Sequence, residues 1–383
     1  MKRSRRLLAG LATAAFLTTG PALAADPIRI GFNVPLTGFA AGDGESARLG
    51  AELAMEQINA KGGVLGRQVE LVVYDDQAKP DQAVPAANKI LGEGVKMAIS
   101  GSYSGATRAA ATVFQKASIP YISAYAIHPD ITRTGNYVYR TSFMGEVQGR
   151  GGAKFVGEML GAKRVAMITL NNDFGQSLAT GFKSAAGQFG IEVTSEHSYS
   201  IKDRQFGSIV ASVKRDAPDA IYASGYFFTA GPLVSQLRAG GVTALIIGQE
   251  GYDTQKFIEI AKAAAEGVMI TTSLDRDSQD PEMRAFIDAF EAKAGFPADM
   301  VAATTHTAVR VMVDAVARAG SEDPQKIRDA LAATQNFATA TGVISFNALG
   351  EIRKSIQVQI VKNGVYRHYA AFDDPELLAP PSE

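Results

Sequence analysis

The sequence predicts an α/β chain of two lobes, each a mostly parallel sheet flanked by helices, and three observations predict it. From Ile28 onward, short β-branched or aliphatic runs alternate with longer stretches of helical period, as in strands that need a crossover helix to lie parallel. The alternation runs through one array and restarts in a second of similar size near Arg164. The chain is also too long for one core. Single cores stop growing beyond roughly 250 to 300 residues, and 383 residues less a leader of 25 leave about 358.

That leader is read from a basic run (Lys2, Arg3, Arg5, Arg6), an apolar stretch from Leu7 to Leu17, and Pro21-Ala22-Leu23-Ala24. This is the layout of a secretory signal peptide, cleaved near Ala24 after the small-residue pair Ala22 and Ala24. The apolar stretch is shorter than the ~20 residues that span a bilayer, so an uncleaved anchor is the lesser alternative. The expected location is the periplasm.

In the first array, Ile28 to Val34, Val69 to Tyr74, Met97 to Ser100 and Pro120 to Ser123 are read as strands. A helix over about Glu45 to Ala60 puts Ala47, Ala51, Ala54 and Ile58 on one face and stops at Lys61-Gly62-Gly63. Further helices are expected over Asp81 to Leu91 and Ser104 to Lys116. The second array has strands at Arg164 to Leu170, Ile191 to Ser195, Ala220 to Ser224, Ala244 to Gly248 and Val268 to Thr271. Leu178, Phe182, Ala185 and Phe189 make the apolar stripe of one of its helices, with Gly190 as the breaker. Helices near Pro281 to Lys293, Asp299 to Ala319 and Pro324 to Ala333 follow. The tail turns β-like at Gly342 to Phe346 and Ile356 to Val361, and Pro375 to Glu383 is expected to fray.

Composition narrows the function. With no cysteine, disulfides, thiolate zinc sites and cysteine nucleophiles are excluded. A formal net charge of −1 with interspersed signs offers no basic patch for nucleic acid and no polybasic membrane anchor. No phosphate-loop motif, H-E-x-x-H pair or G-x-S-x-G elbow occurs, so no catalytic residue, metal site or cofactor is expected.

Ligands of open parallel sheets gather where strand carboxyl ends meet helix N-termini. In the loop Gly101 to Thr107, Ser104 opens a helix and can add its hydroxyl to free backbone amides around a carboxylate. Its plainer alternative is a cap on its own helix. Tyr226 follows one strand and Glu250 another; a phenol and a carboxylate could hold the two ends of an amino-acid headgroup. A surface tyrosine and a solvated glutamate are the plainer alternatives.

The chain resembles the leucine/isoleucine/valine-binding proteins of ABC importers, the type I periplasmic binding fold, from Ile28 to about Arg367. The resemblance rests on Pro35-Leu36-Thr37-Gly38, Ile58-Asn59-Ala60-Lys61-Gly62-Gly63-Val64, Val73-Tyr74-Asp75-Asp76, the stretch Pro80 to Lys89, Asn172-Asp173-Phe174-Gly175, Gly225-Tyr226 and Gln249-Glu250-Gly251. It implies two Rossmann-like lobes joined by a three-strand hinge, with crossings near residues 140 to 145, 270 to 275 and 350 to 356. The implied division is 26–142 plus 273–353 for one lobe, 143–272 plus 354–378 for the other, and 379–383 as a tail. It further implies that Ser104 and Tyr226 grip a carboxylate, Glu250 faces an ammonium, the backbone around Tyr125 completes the headgroup site, and Phe174 wraps the ligand. Where the family commonly has a threonine, this chain has Ile127, which weakens the case for an ordinary branched-chain amino acid. Tyr103, Tyr125, Phe227, Phe228 and Tyr252 could instead line a pocket for a flatter acid.

The expected function is therefore that of a solute-binding protein, not an enzyme: a monomer that closes on a small carboxylate-bearing ligand and hands it to a membrane permease. A ligand sensor of the same fold and an α/β enzyme are the alternatives, and the sequence leaves open whether the ligand is aliphatic or aromatic and whether it carries an amine.

Overall fold

The computed structural model describes residues 26–382, so the expected signal peptide lies outside the described residues. Strands β1 (Ile28–Val34), β2 (Val69–Asp75), β3 (Ala98–Ser100), β4 (Tyr121–Ser123) and β5 (Val138–Arg140) form an all-parallel sheet in the order β2-β1-β3-β4-β5. A second sheet takes β6 (Arg164–Leu170), β7 (Glu192–Tyr199), β8 (Ala220–Ala223), β9 (Leu245–Gly248) and β10 (Met269–Thr272). After a small hairpin of β11 (Phe337–Thr339) and β12 (Gly342–Ile344), strands β13 (Ile356–Lys362) and β14 (Val365–Phe372) complete it. Its order is β14-β13-β10-β9-β8-β6-β7, parallel except where β13 runs antiparallel to β10 and β14.

Helices α1 (Ala41–Ala60), α2 (Pro80–Gly92) and α3 (Ser104–Lys116) belong to the first array. The second carries α4 (Gly145–Lys154), α5 (Asp173–Ala186), α6 (Gly207–Asp216), α7 (Phe227–Ala239) and α8 (Gln255–Ala261). Then α9 (Pro281–Ala294), α10 (Met300–Ala319) and α11 (Pro324–Ala332) return to the first array, where α10 lies along α1. Because helices cover the sheets, β1 is buried on both faces: Ile28, Ile30, Phe32 and Val34 fill one, and Gly31 and Asn33 on the other are buried too. Among the described residues no helix is long and apolar enough to cross a membrane.

The chain passes between the sheets after β5, after β10 and before β13. These connections carry buried charge. Arg140 is 0% exposed and pairs with Glu351, 2% exposed, at 3.0 Å. Its Nη1 and Nη2 donate to the carbonyls of Ala126 and His128 at 2.5 and 2.7 Å, so all three donor groups of the fork are used. The Lys354 ammonium donates to Thr141 O at 3.1 Å and Thr341 Oγ1 at 2.7 Å.

Several elements have no signature in the sequence. Helix α4 contains Gly145, Gly149, Gly151 and Gly152, which give it neither propensity nor an apolar stripe. Tertiary contact makes it: a Cβ at Gly149 would lie 2.3 Å from Leu178 O and one at Gly181 2.1 Å from Glu146 O, so α4 and α5 touch backbone to backbone. Strand β5 is three residues long, too short to show a period. Strand β7 starts at Glu192 rather than Ile191 and runs on to Tyr199; as an edge strand it alternates polar residues that hide it. The tail does not fray as expected. Leu377 and Leu378 are buried, Arg150 Nε donates to Leu377 O at 2.9 Å, and Asn347 Nδ2 to Pro381 O at 2.7 Å. The two buried leucines and these hydrogen bonds together offset the ordering entropy of the segment.

Candidate functional site

The loops at the carboxyl ends of the two sheets meet. Tyr103 precedes α3 and Ser104 is its first residue; Tyr226 precedes α7; Phe174 lies in the first turn of α5; Glu250 begins a short turn after β9. Together with Tyr125 they line a narrow pocket, bounded further by Asp43, Ala126, Gly251, Met300 and Val301.

Six of the seven residues singled out in the sequence therefore share one cavity, and Ile127 does not. It is fully buried, and its contribution is its backbone N–H, donated to Ser104 Oγ at 3.2 Å. With its oxygen so engaged, the Ser104 hydroxyl keeps its proton for another acceptor. Of the other aromatics, Tyr252 packs in the core on Phe257, while Phe228 lies by Tyr226 and Phe39 at the rim. His128 is half-buried and caps a turn by accepting the Asp130 N–H.

An aromatic stack bridges the two arrays. Phe174 stacks on Tyr226 with centroids 4.8 Å apart, and Tyr226 on Tyr103 at 3.8 Å and 3°. Ion pairs Arg108–Asp173 at 3.0 Å and Lys256–Glu45 at 3.4 Å span the same gap.

The electrostatics are dominated by buried acids. Glu250 is 3% exposed, and neither carboxylate oxygen has a hydrogen-bond partner among the described residues. Burial pushes its pKa up to about 8, opposed by the fields of Lys354 and Arg140. Lys354 is pushed the other way by its own burial, down to about 7. Asp43 is raised to about 7 by burial, although Tyr103 donates its hydroxyl to it at 2.6 Å. Asp43, Met300 and Val301 escaped the sequence reading. Gly42-Asp43-Gly44 was a usable signal, an acid framed by glycines just after the first strand's loop; Met300 and Val301 had none, because they stand on a helix remote in sequence. Among the described residues no group of three His, Cys, Asp or Glu could hold a metal ion.

A family model described as periplasmic binding protein matches residues 27–364. The chain belongs to the periplasmic binding protein family. It is 34% identical over 353 residues to the leucine-, isoleucine-, valine-, threonine-, and alanine-binding protein of Pseudomonas aeruginosa, covering 92% of this chain and 94% of that protein. The solved leucine-binding protein LivK of Thermotoga maritima superposes with a TM-score of 0.86 at 30% identity, over 91% of this chain and 99% of that one. LivJ of Streptococcus pneumoniae, solved in complex with isoleucine, gives 0.85 at 29% identity, over 90% and 99%. The resemblance read from the sequence and the two-lobed α/β fold both hold.

Periplasmic binding proteins close about a hinge, and acids buried as Glu250 and Asp43 are here should make such closure pH-dependent. Opened to water, Glu250 and Asp43 return to the ordinary carboxylate range near 4; in the empty closed cleft they hold protons up to about 8 and about 7. Empty closure thus takes up protons. Its penalty is absent below the open-form range near 4, grows as pH rises from there and is complete above about 8. For Glu250 alone the penalty at pH 7 is on the order of 3 kcal/mol. Small-angle scattering of ligand-free protein should show a larger closed fraction at pH 5 than at pH 8; equal fractions contradict this reading.

Proposed function

We propose that this protein binds an α-amino acid in the cleft between its lobes and delivers it to the permease of an ABC importer. The observation that carries the reading is Glu250: a buried carboxylate with two oxygens unpartnered among the described residues, lining the pocket, calls for a cation, and the ammonium of an amino acid supplies one. An aromatic acid without an amine would leave it unpaired. The ligand carboxylate goes to the Ser104 hydroxyl and the free amides at the start of α3, where the helix end is electropositive, with the Tyr226 phenol across from it. Phe174, stacked on Tyr226, fixes that phenol from behind.

The lobes comprise residues 26–142 plus 273–353 and 143–272 plus 354–378, a division supported by the membership of the two sheets. The protein works as a monomer in the periplasm once its leader is removed, and it turns over nothing. The named ligands of its relatives support an amino acid: leucine, isoleucine, valine, threonine and alanine for the Pseudomonas protein, isoleucine for LivJ.

Native mass spectrometry of protein purified without refolding, followed by calorimetry with the retained molecule, tests the reading. One amino acid per chain is expected. Heat from a carboxylate lacking an amine, with none from any amino acid, would overturn it.

A further inference from the structure

The headgroup of an amino acid satisfies Glu250 and the start of α3, and leaves one acid of the cavity unanswered. Asp43 is 4% exposed and lines the same cavity beside Tyr103, Met300 and Val301. The Tyr103 hydroxyl, on Asp43 Oδ2 at 2.6 Å, is the one hydrogen bond its carboxylate receives among the described residues. The backbone beside it is packed closely on the preceding loop: a Cβ at Gly44 would fall 1.8 Å from Pro35 O.

The fixed charges around Asp43 do not answer it. Just before α10, the buried Asp299, which accepts from Ser46 Oγ, adds like charge, as does Asp253. Lys256 on α8 is the one nearby cation, and its ammonium is engaged with Glu45 at 3.4 Å. Among the described residues no lysine, arginine or histidine lines the cavity. An aliphatic side chain would seal this carboxylate from water with its remaining lone pairs unused, a state that buried acceptors avoid.

We propose that Asp43 reads the ligand's side chain, and that the bound amino acid carries a hydrogen-bond donor there, a hydroxyl, amide or ammonium group. The inference rests on the amino-acid reading above and deepens it. Glu250, buried and unpartnered in the same cavity, independently marks the space as a ligand site. Met300 and Val301 form the apolar part of the wall, so the side chain is bounded by one polar and one greasy surface.

Calorimetry with leucine, threonine, glutamine and lysine on the wild type and on Asp43→Leu tests the proposal. In the wild type the best donor-bearing amino acid should bind at least about tenfold tighter than leucine, the ratio expected when a buried acceptor gains or lacks its partner. Asp43→Leu should reverse that preference. Asp43→Asn, which keeps the size and the contact with Tyr103, should narrow it, and serves if the leucine variant does not fold. A wild-type ratio below tenfold, or one that the substitutions leave unchanged, overturns the assignment while leaving the amino-acid reading in place. Failure of all four ligands together with binding of a carboxylate lacking an amine would instead remove the reading on which it rests.

Discussion

Replacing Glu250 by alanine should weaken amino-acid binding by two to three orders of magnitude, about 3–4 kcal/mol, the cost of stranding one partner of a desolvated charge pair. The deaminated analogue of the same ligand should lose little, since it brings no ammonium to be stranded. A second readout separates this account from simple damage to the fold. The wild-type empty cleft resists closure because it must dehydrate an acid that is then held near 8; removing that acid should raise the closed fraction of the empty protein at pH 7, visible by scattering. Loss of affinity for both ligands alike, or an unchanged empty equilibrium, would show that Glu250 does not face an ammonium.

Arg140→Met should lower the stability of the first unfolding transition by about 3–5 kcal/mol, because Glu351 would be left buried and charged. The same guanidinium holds the carbonyls of Ala126 and His128. Ala126 lines the cavity and Ile127 between them pins Ser104, so ligand affinity should fall alongside stability. Pairing the change with Glu351→Leu should recover most of the stability, since neither charge then remains, while the loop stays unanchored and affinity stays low. Denaturant unfolding and calorimetry on the two variants give both quantities. Full recovery of binding in the double variant would mean that the arginine supports the fold alone.

The match between reading and structure follows the length of the signals. Helices α2, α3, α9, α10 and α11 and strands β1, β2 and β6 lie within a few residues of where period and caps put them, because each alone buries a face that the sequence must pattern. The missed elements are those made by neighbours: α4 by its glycine contact with α5, β5 by pairing with β4, and the tail by two leucines and an arginine. The site divides in the same way. Tyr103, Ser104, Tyr125, Phe174, Tyr226 and Glu250 follow strand ends, where a parallel sheet gathers its loops.

By itself, then, the order of residues determined the two arrays, the loops from which a binding site could be drawn, and the absence of sulfur chemistry. It did so because hydrophobic period and turn chemistry are local properties. Only the tertiary structure decided that Ile127 stands behind the wall, that Asp43, Met300 and Val301 complete it, and that Glu250 is buried with no hydrogen-bond partner among the described residues. Burial and the shift of a carboxyl toward neutrality depend on what surrounds the group from other parts of the chain, and no window of neighbouring residues contains that information.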